Sequence, residues 1–155
     1  MATVIRGSDN FDTSPTVASN VPAFSAKPTT GQDVPNSTWT KVILGTELFD
    51  TDSKFADSKF TPTVAGKYQL SCAVVYGDSA GTPQLRLAIH KNGSQLVATT
   101  NEYNSTAGYG AVNLSYLAEA NTTDYFEIYT YQNRGQATMM YASTTYFTAF
   151  KLAGV

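Results

Sequence analysis

Short runs of alternating apolar and polar residues recur about every ten residues from Val21 onward. Alternate positions are apolar at 67–75 and again at 84–90, as in strands with one buried face. The second run ends at Asn92-Gly93, which is typical of a type I′ hairpin because both turn residues must tolerate positive φ. This spacing predicts an all-β sandwich or barrel over residues 21–155. Further strands are predicted at 23–26, 38–48, 96–100, 111–117, 125–132 and 143–152.

The last two predicted strands are apolar on both faces, unlike a strand with one face in water. Phe126 and Ile128 share one face of the strand at 125–132, and Phe147 opposes the aromatic face of the strand at 143–152. We expect the second apolar faces to contact another subunit. The alternative is that the tyrosines lie at a half-exposed surface, which their hydroxyls tolerate. Four aromatic residues are therefore candidates for a trimer interface: Tyr129, Tyr131, Tyr146 and Phe150.

The composition argues against two classes of partner. Charged residues make up 14% of the 155-residue chain, the net charge is −2 at pH 7, and no basic block occurs. Nucleic-acid binding needs a cationic surface, and a membrane-spanning helix needs roughly 20 mostly apolar residues in a row. We therefore expect no nucleic acid and no membrane among the partners. The N-terminus also lacks the apolar stretch of a signal peptide.

Residues able to carry catalysis are few. His90 is the single histidine, and we expect it to face solvent from the polar side of its strand, without the oriented acid of a Ser-His-Asp triad. The single cysteine, Cys72, is predicted to be a buried core thiol. No Gly-rich loop precedes a helical segment, so no phosphate-binding loop is visible. We expect no enzyme activity, no catalytic residues and no cofactor.

Three aspartates lie close together in a predicted loop: Asp50, Asp52 and Asp57. Calcium prefers oxygen ligands of this kind. Lys54 and Lys59 offset part of the charge, and no EF-hand spacing follows. The aspartates are weak candidates for a calcium site, and the sequence favours a solvated loop without a metal.

A loop at 102–109 combines tyrosine and asparagine with small residues. Tyr103, Asn104 and Tyr109 could contact a receptor or a glycan, because tyrosine offers both a stacking surface and a hydroxyl. An ordinary long loop is the alternative that the sequence favours.

Five segments carry a resemblance to a known family: Pro-Ala-Phe-Ser-Ala at 22–26, Phe-Asp at 49–50, Phe-Thr-Pro-Thr-Val-Ala-Gly-Lys-Tyr at 60–68, Asp-Tyr-Phe at 124–126 and Tyr-Phe-Thr-Ala-Phe-Lys-Leu at 146–152. In this order they resemble the conserved strands of C1q/TNF-type jelly rolls. Thr123 and Ala149 stand where that family has glycine. The resemblance implies a jelly-roll sandwich of two antiparallel sheets, a homotrimer, and a position for Tyr68 near the subunit interface.

Residues 1–20 show no sustained period and are predicted to form an N-terminal arm that attaches to a partner or is disordered. The apolar candidates for attachment are Val4, Ile5 and Phe11.

A jelly-roll trimer behind a short arm, poor in charge and rich in Thr, Ser and Asn, resembles bacteriophage virion proteins. The resemblance implies a structural protein at the virion surface, with other virion proteins as partners. No fibre shaft is visible, which favours a module that decorates the capsid. The alternative is a tail-fibre or receptor-binding tip that adheres to host surface glycan. A bacterial C1q-like binding protein is a second alternative.

Overall fold

The computed structural model describes residues 20–77, 83–102 and 108–153, which form two β-sheets packed face to face. No helix occurs within these residues, and so none there could cross a membrane. The predicted arm lies outside them except for Asn20, and so do its attachment candidates Val4, Ile5 and Phe11.

Thirteen strands follow one another along the described residues: β1 (Ala23–Lys27), β2 (Gln32–Val34), β3 (Thr40–Lys41), β4 (Thr46–Asp50), β5 (Phe55–Ala56), β6 (Lys59–Phe60), β7 (Gly66–Tyr76), β8 (Gln84–Lys91), β9 (Ser94–Glu102), β10 (Gly110–Ala120), β11 (Phe126–Gln132), β12 (Thr138–Met140) and β13 (Tyr146–Lys151). Sheet A has the order β10-β7-β13-β1-β4. At the end of β7, β12 also pairs with it, and β2 pairs with β12. Sheet B has the order β5-β6-β11-β8-β9, and β3 also pairs with β11.

The long strands are divided equally between the two sheets. β7, β10 and β13 belong to sheet A, whereas β8, β9 and β11 belong to sheet B, and all neighbouring strands pair antiparallel. Crossing between two sheets in this manner is the jelly-roll arrangement. The predicted fold class is confirmed.

The core lies between the sheets and follows the predicted alternation. The inward face of β7 is fully buried: Tyr68, Leu70, Cys72, Val74 and Tyr76. Phe126 and Ile128 of β11 pack from the other sheet. Burial raises the pKa of the Cys72 thiol to about 12, which keeps it protonated and a poor nucleophile, so the prediction of a buried core thiol is confirmed.

The Asn92-Gly93 turn between β8 and β9 is as predicted. Both residues have positive φ, 55° for Asn92 and 79° for Gly93, as a type I′ turn requires. The turn pairs Lys91 with Ser94, which sets the register of the hairpin. A Cβ at Gly93 would lie 3.3 Å from the hydroxyl oxygen of Tyr125, so glycine serves both the backbone and the packing there.

The single strand predicted at 38–48 is wrong, because the chain changes sheets within it. β3 belongs to sheet B and β4 to sheet A. Between them, Val42 and Leu44 are buried, and their amides donate to the Ile128 carbonyl and the Ser58 hydroxyl. Hydrogen bonds of this kind satisfy the backbone of a segment that belongs to neither sheet.

Candidate functional site: two faces and one end of the sandwich

The outer surface of sheet A, here called the sheet A face, exposes large apolar side chains. Leu117 of β10, Gln69 of β7 and Phe150 of β13 lie side by side across it. Tyr146 lies further along β13, and Phe49 lies on the edge strand β4. The exposed fractions are 58% for Leu117, 53% for Phe49, 40% for Tyr146 and 37% for Phe150.

The polar residues at the centre of the sheet A face are uncharged. The Gln69 amide donates to the Ser115 hydroxyl at 2.6 Å, and the Ser71 and Ser115 hydroxyls are 3.2 Å apart. Lys67 and Glu119 are paired opposite each other where β7 begins and β10 ends. A partner covering the centre would therefore not bury an unpaired charge, which is expensive in a dry interface.

The outer surface of sheet B, here called the sheet B face, carries aromatic side chains packed against one another and against cations. The rings of Trp39 and Tyr131 are 5.6 Å apart, and the Arg86 guanidinium lies 5.1 Å from the Tyr131 ring. His90 stacks on Tyr129 with ring centroids 4.1 Å apart. Contacts of this kind partly bury the tyrosines within their own domain.

The same pattern continues towards the β8–β9 turn. Lys59 lies 4.6 Å from the centre of the Tyr125 ring, and Lys41 forms an ion pair of 2.7 Å with Glu127. The aromatic and charged side chains of the sheet B face therefore contact one another within the same domain.

The structure divides the predicted trimer interface between opposite surfaces. Tyr129 and Tyr131 lie on the sheet B face, whereas Tyr146 and Phe150 lie on the sheet A face. The prediction that they contact another subunit stays a prediction, and it now concerns two different surfaces. The sequence shows which residues share a side of one strand, but not which sheet that strand joins.

Tyr68 lies in the core of its own chain and has no exposed surface that could contact another subunit directly. Its side chain is fully buried in the core, where its ring meets Phe60 edge-on, and its hydroxyl donates to the Val64 carbonyl. Burial raises its pKa to about 12, and the charge of Asp52 acts in the same direction. The alternation of β7 predicted this inward position, and the family resemblance pointed the other way.

His90 is half-buried and does not face solvent as freely as predicted. Burial lowers its pKa below the ordinary value of 6.5, while a hydrogen bond with the Gly93 backbone and the charge of Glu127 act in the opposite direction. Its ring, stacked on Tyr129, is part of the packing of the sheet B face.

The three weak calcium candidates have other contacts. The Asp50 carboxylate accepts hydrogen bonds from the amides of Asp52 and Phe55 at 3.1 and 2.6 Å, which closes the turn after β4. Asp52 accepts from the Thr63 hydroxyl, and Asp57 lies in the β5–β6 turn with φ of 52°. In residues 20–77, 83–102 and 108–153, no three His, Cys, Asp or Glu side chains come together as metal ligands could.

Asp124 joins two connections at one end of the sandwich. Its carboxylate accepts hydrogen bonds from the Asn121 amide, the Asn92 side chain and the Lys91 ammonium at 2.8, 2.8 and 2.9 Å. These bonds, the one from the Asn121 backbone first, lower its pKa from 3.8 to about 2. Asn92 in turn accepts from the Tyr125 amide, so the β8–β9 turn is fixed to the start of β11.

Two cavities lie at the opposite end of the sandwich, and Tyr141 lines both of them. The first has a volume of about 350 Å³ and is lined by Val75, Tyr109, Tyr141, Ser143 and Thr144. The rings of Tyr109 and Tyr141 are 5.5 Å apart and tilted by 56°. Tyr109, a predicted contact residue, is 65% exposed here, whereas Tyr103 and Asn104 lie outside the described residues.

The second cavity has a volume of about 290 Å³ and is more polar. Its lining includes Asp33, Arg134, Gln136, Thr138 and Tyr141. Tyr141 was not predicted as a site residue, because an isolated aromatic residue between two short elements belongs to no periodic pattern.

No family model matches the chain, and no curated protein matches it. Among solved structures it is similar to murine APRIL at pH 5.0, with a TM-score of 0.62 and 13% identity over 84% of this chain and 98% of that one. It is also similar to the globular domain of the zebrafish complement 1qA protein, with a TM-score of 0.60 and 16% identity over 84% of this chain and 97% of that one. At these identities the likeness concerns the fold, which is a C1q/TNF-like jelly roll.

Proposed function

We propose that this protein is a non-enzymatic assembly and binding module that forms a homotrimer through the sheet A face. The observation that carries the proposal is the exposure of four large side chains on one surface: Phe49, Leu117, Tyr146 and Phe150. Exposed apolar patches mark interaction sites, and covering them stabilises a complex by roughly 25 cal/mol per Å². The C1q/TNF family is trimeric, which supports three copies.

The sheet B face has less to gain from a second copy. Tyr129 and Tyr131 are already half-buried by His90, Arg86 and Trp39 within the same domain. Covering surface that is already buried adds little further stabilisation.

Substitutions on the two faces test this proposal. The double variant Leu117→Ser with Phe150→Ser is expected to elute as a monomer, because both side chains are exposed in the isolated domain and their apolar surface drives association. The matched control is Tyr131→Ser on the sheet B face, which should keep the trimer mass. Light scattering after size exclusion measures the mass of each. A trimeric double variant, or a control that dissociates, would contradict the proposed interface.

The setting proposed for the trimer is the surface of a phage capsid, with residues 1–20 attaching it to other virion proteins. The support is the composition, which is poor in charge and rich in small polar residues. Quantitative mass spectrometry of purified particles should find the protein in many copies on capsids. A few copies confined to tails would favour the fibre tip that adheres to host glycan. Absence from particles would favour the bacterial binding protein.

A further inference from the structure

We propose that the two cavities beside Tyr141 form one binding site for a neutral oligosaccharide, with sugar units in both cavities. Both cavities are lined by this residue, so a ligand that fills both would contact its side chain from each of them. The inference rests on the adhesion alternative described above and names its site and ligand. It does not depend on the trimer.

The first cavity has the chemistry of a pyranose subsite. Val75 and the rings of Tyr109 and Tyr141 are apolar surfaces onto which the C–H face of a sugar can pack. Ser143 and Thr144 provide hydroxyls at the same cavity. None of these five residues is charged, which favours a neutral sugar. The volume of about 350 Å³ lies in the lower part of the usual range of small-molecule sites.

The second cavity offers donors and acceptors together. Asp33 accepts hydrogen bonds, Arg134 donates them, and Gln136 can do both. Sugar hydroxyls also donate and accept hydrogen bonds, so they match both kinds of group. An anionic ligand would lie beside Asp33 and a cationic ligand beside Arg134, each a group of its own charge.

The Tyr141 ring packs against Gly77, and backbone hydrogen bonds hold the two segments together. A Cβ at Gly77 would lie 2.5 Å from the Tyr141 hydroxyl oxygen, so the ring rests directly on the glycine. The Tyr141 amide donates to the Val75 carbonyl at 2.8 Å, and the Gly77 amide donates to the Met139 carbonyl at 2.9 Å. A packed ring costs less ordering on binding, which favours affinity for a small ligand.

Saturation-transfer NMR on the intact protein tests the site with cellotriose, maltotriose and triacetylchitotriose, which are neutral, and with trigalacturonate as the acidic comparison. We expect transfer to at least one neutral trisaccharide and none to trigalacturonate. Tyr141→Ala should weaken binding about tenfold, whereas Tyr141→Phe, which keeps the ring, should bind within about twofold of the original. Gly77→Ala should weaken binding by displacing the ring. Tyr125→Ala, at the other end of the sandwich, is the matched control and should bind normally.

Three results would overturn the proposal: no transfer to any neutral trisaccharide, transfer to the acidic one alone, or unchanged binding by a folded Tyr141→Ala. Should Tyr141→Ala not fold, Asp33→Ala replaces it, since Asp33 is exposed, and normal binding by that variant would also overturn the proposal. Light scattering of the same samples separates the two claims. An unmodified trimer that binds no neutral trisaccharide contradicts the site alone, and an unmodified monomer that binds one contradicts the trimer alone.

Discussion

Asp124 is nearly buried and accepts three hydrogen bonds that fasten the β8–β9 turn to the β10–β11 connection. Asp124→Asn should lower the free energy of unfolding at pH 7 by about 2 kcal/mol, since it removes the charge that these donors face. The folded pKa of about 2 lies below the ordinary 3.8, so the stabilisation is present above about pH 4 and is lost as the pH falls towards 2.

Urea unfolding of both proteins at pH 7 and near pH 2 measures this effect. The difference between them should be clear at pH 7 and small near pH 2. Glu119→Gln is the control, because Glu119 is exposed and only its backbone carbonyl accepts from Lys91. A difference of equal size at both pH values would show that the carboxylate charge is not the cause.

Tyr68 and Tyr141 show which residue positions can and cannot be predicted from the sequence alone. Tyr68 belongs to the alternating run of β7, and that run alone places it in the core. Tyr141 stands between β12 and a turn, and its role depends on contact with Gly77 and Tyr109, which are distant in sequence. A residue whose role comes from such contacts cannot be identified from local periodicity.

At the scale of elements, the long strands were predictable and the short ones were not. β7, β8, β10 and β11 contain enough residues for alternation to appear, and each was predicted within a few residues of its bounds. β2, β5, β6 and β12 have only two or three residues each, so no period can form. The change of sheet between β3 and β4 could not be predicted from the sequence. Val42 and Leu44 are buried and apolar, as they would also be in one continuous strand.

Strand β11 should stabilise the domain rather than the assembly. Tyr131→Ala removes the contacts with Trp39 and Arg86, and we expect the free energy of unfolding to fall by about 1 kcal/mol. The oligomeric mass should not change. Tyr131→Phe keeps the ring and should unfold nearly as the original protein does. A change of mass in Tyr131→Ala with unchanged stability would place β11 in a subunit contact instead.

At the scale of the whole molecule, we expect residues 1–20 to attach the protein to its partner and the sandwich to fold without them. Residues 20–77, 83–102 and 108–153 form two sheets with a shared apolar core. Deleting residues 2–20 should therefore leave the melting temperature nearly unchanged and abolish binding to particles depleted of the protein. Normal attachment by the truncated protein would move the docking surface to the sandwich. Its collapse would make the arm part of the fold.

The central claim is that other copies of the chain cover the sheet A face. Its exposed large side chains are Leu117, Phe49, Tyr146 and Phe150. Sedimentation equilibrium of the unmodified protein over a range of micromolar concentrations tests this claim most directly. The account predicts one species of three times the 16.7 kDa chain mass. A monomer throughout that range would contradict it, and so would a stable dimer.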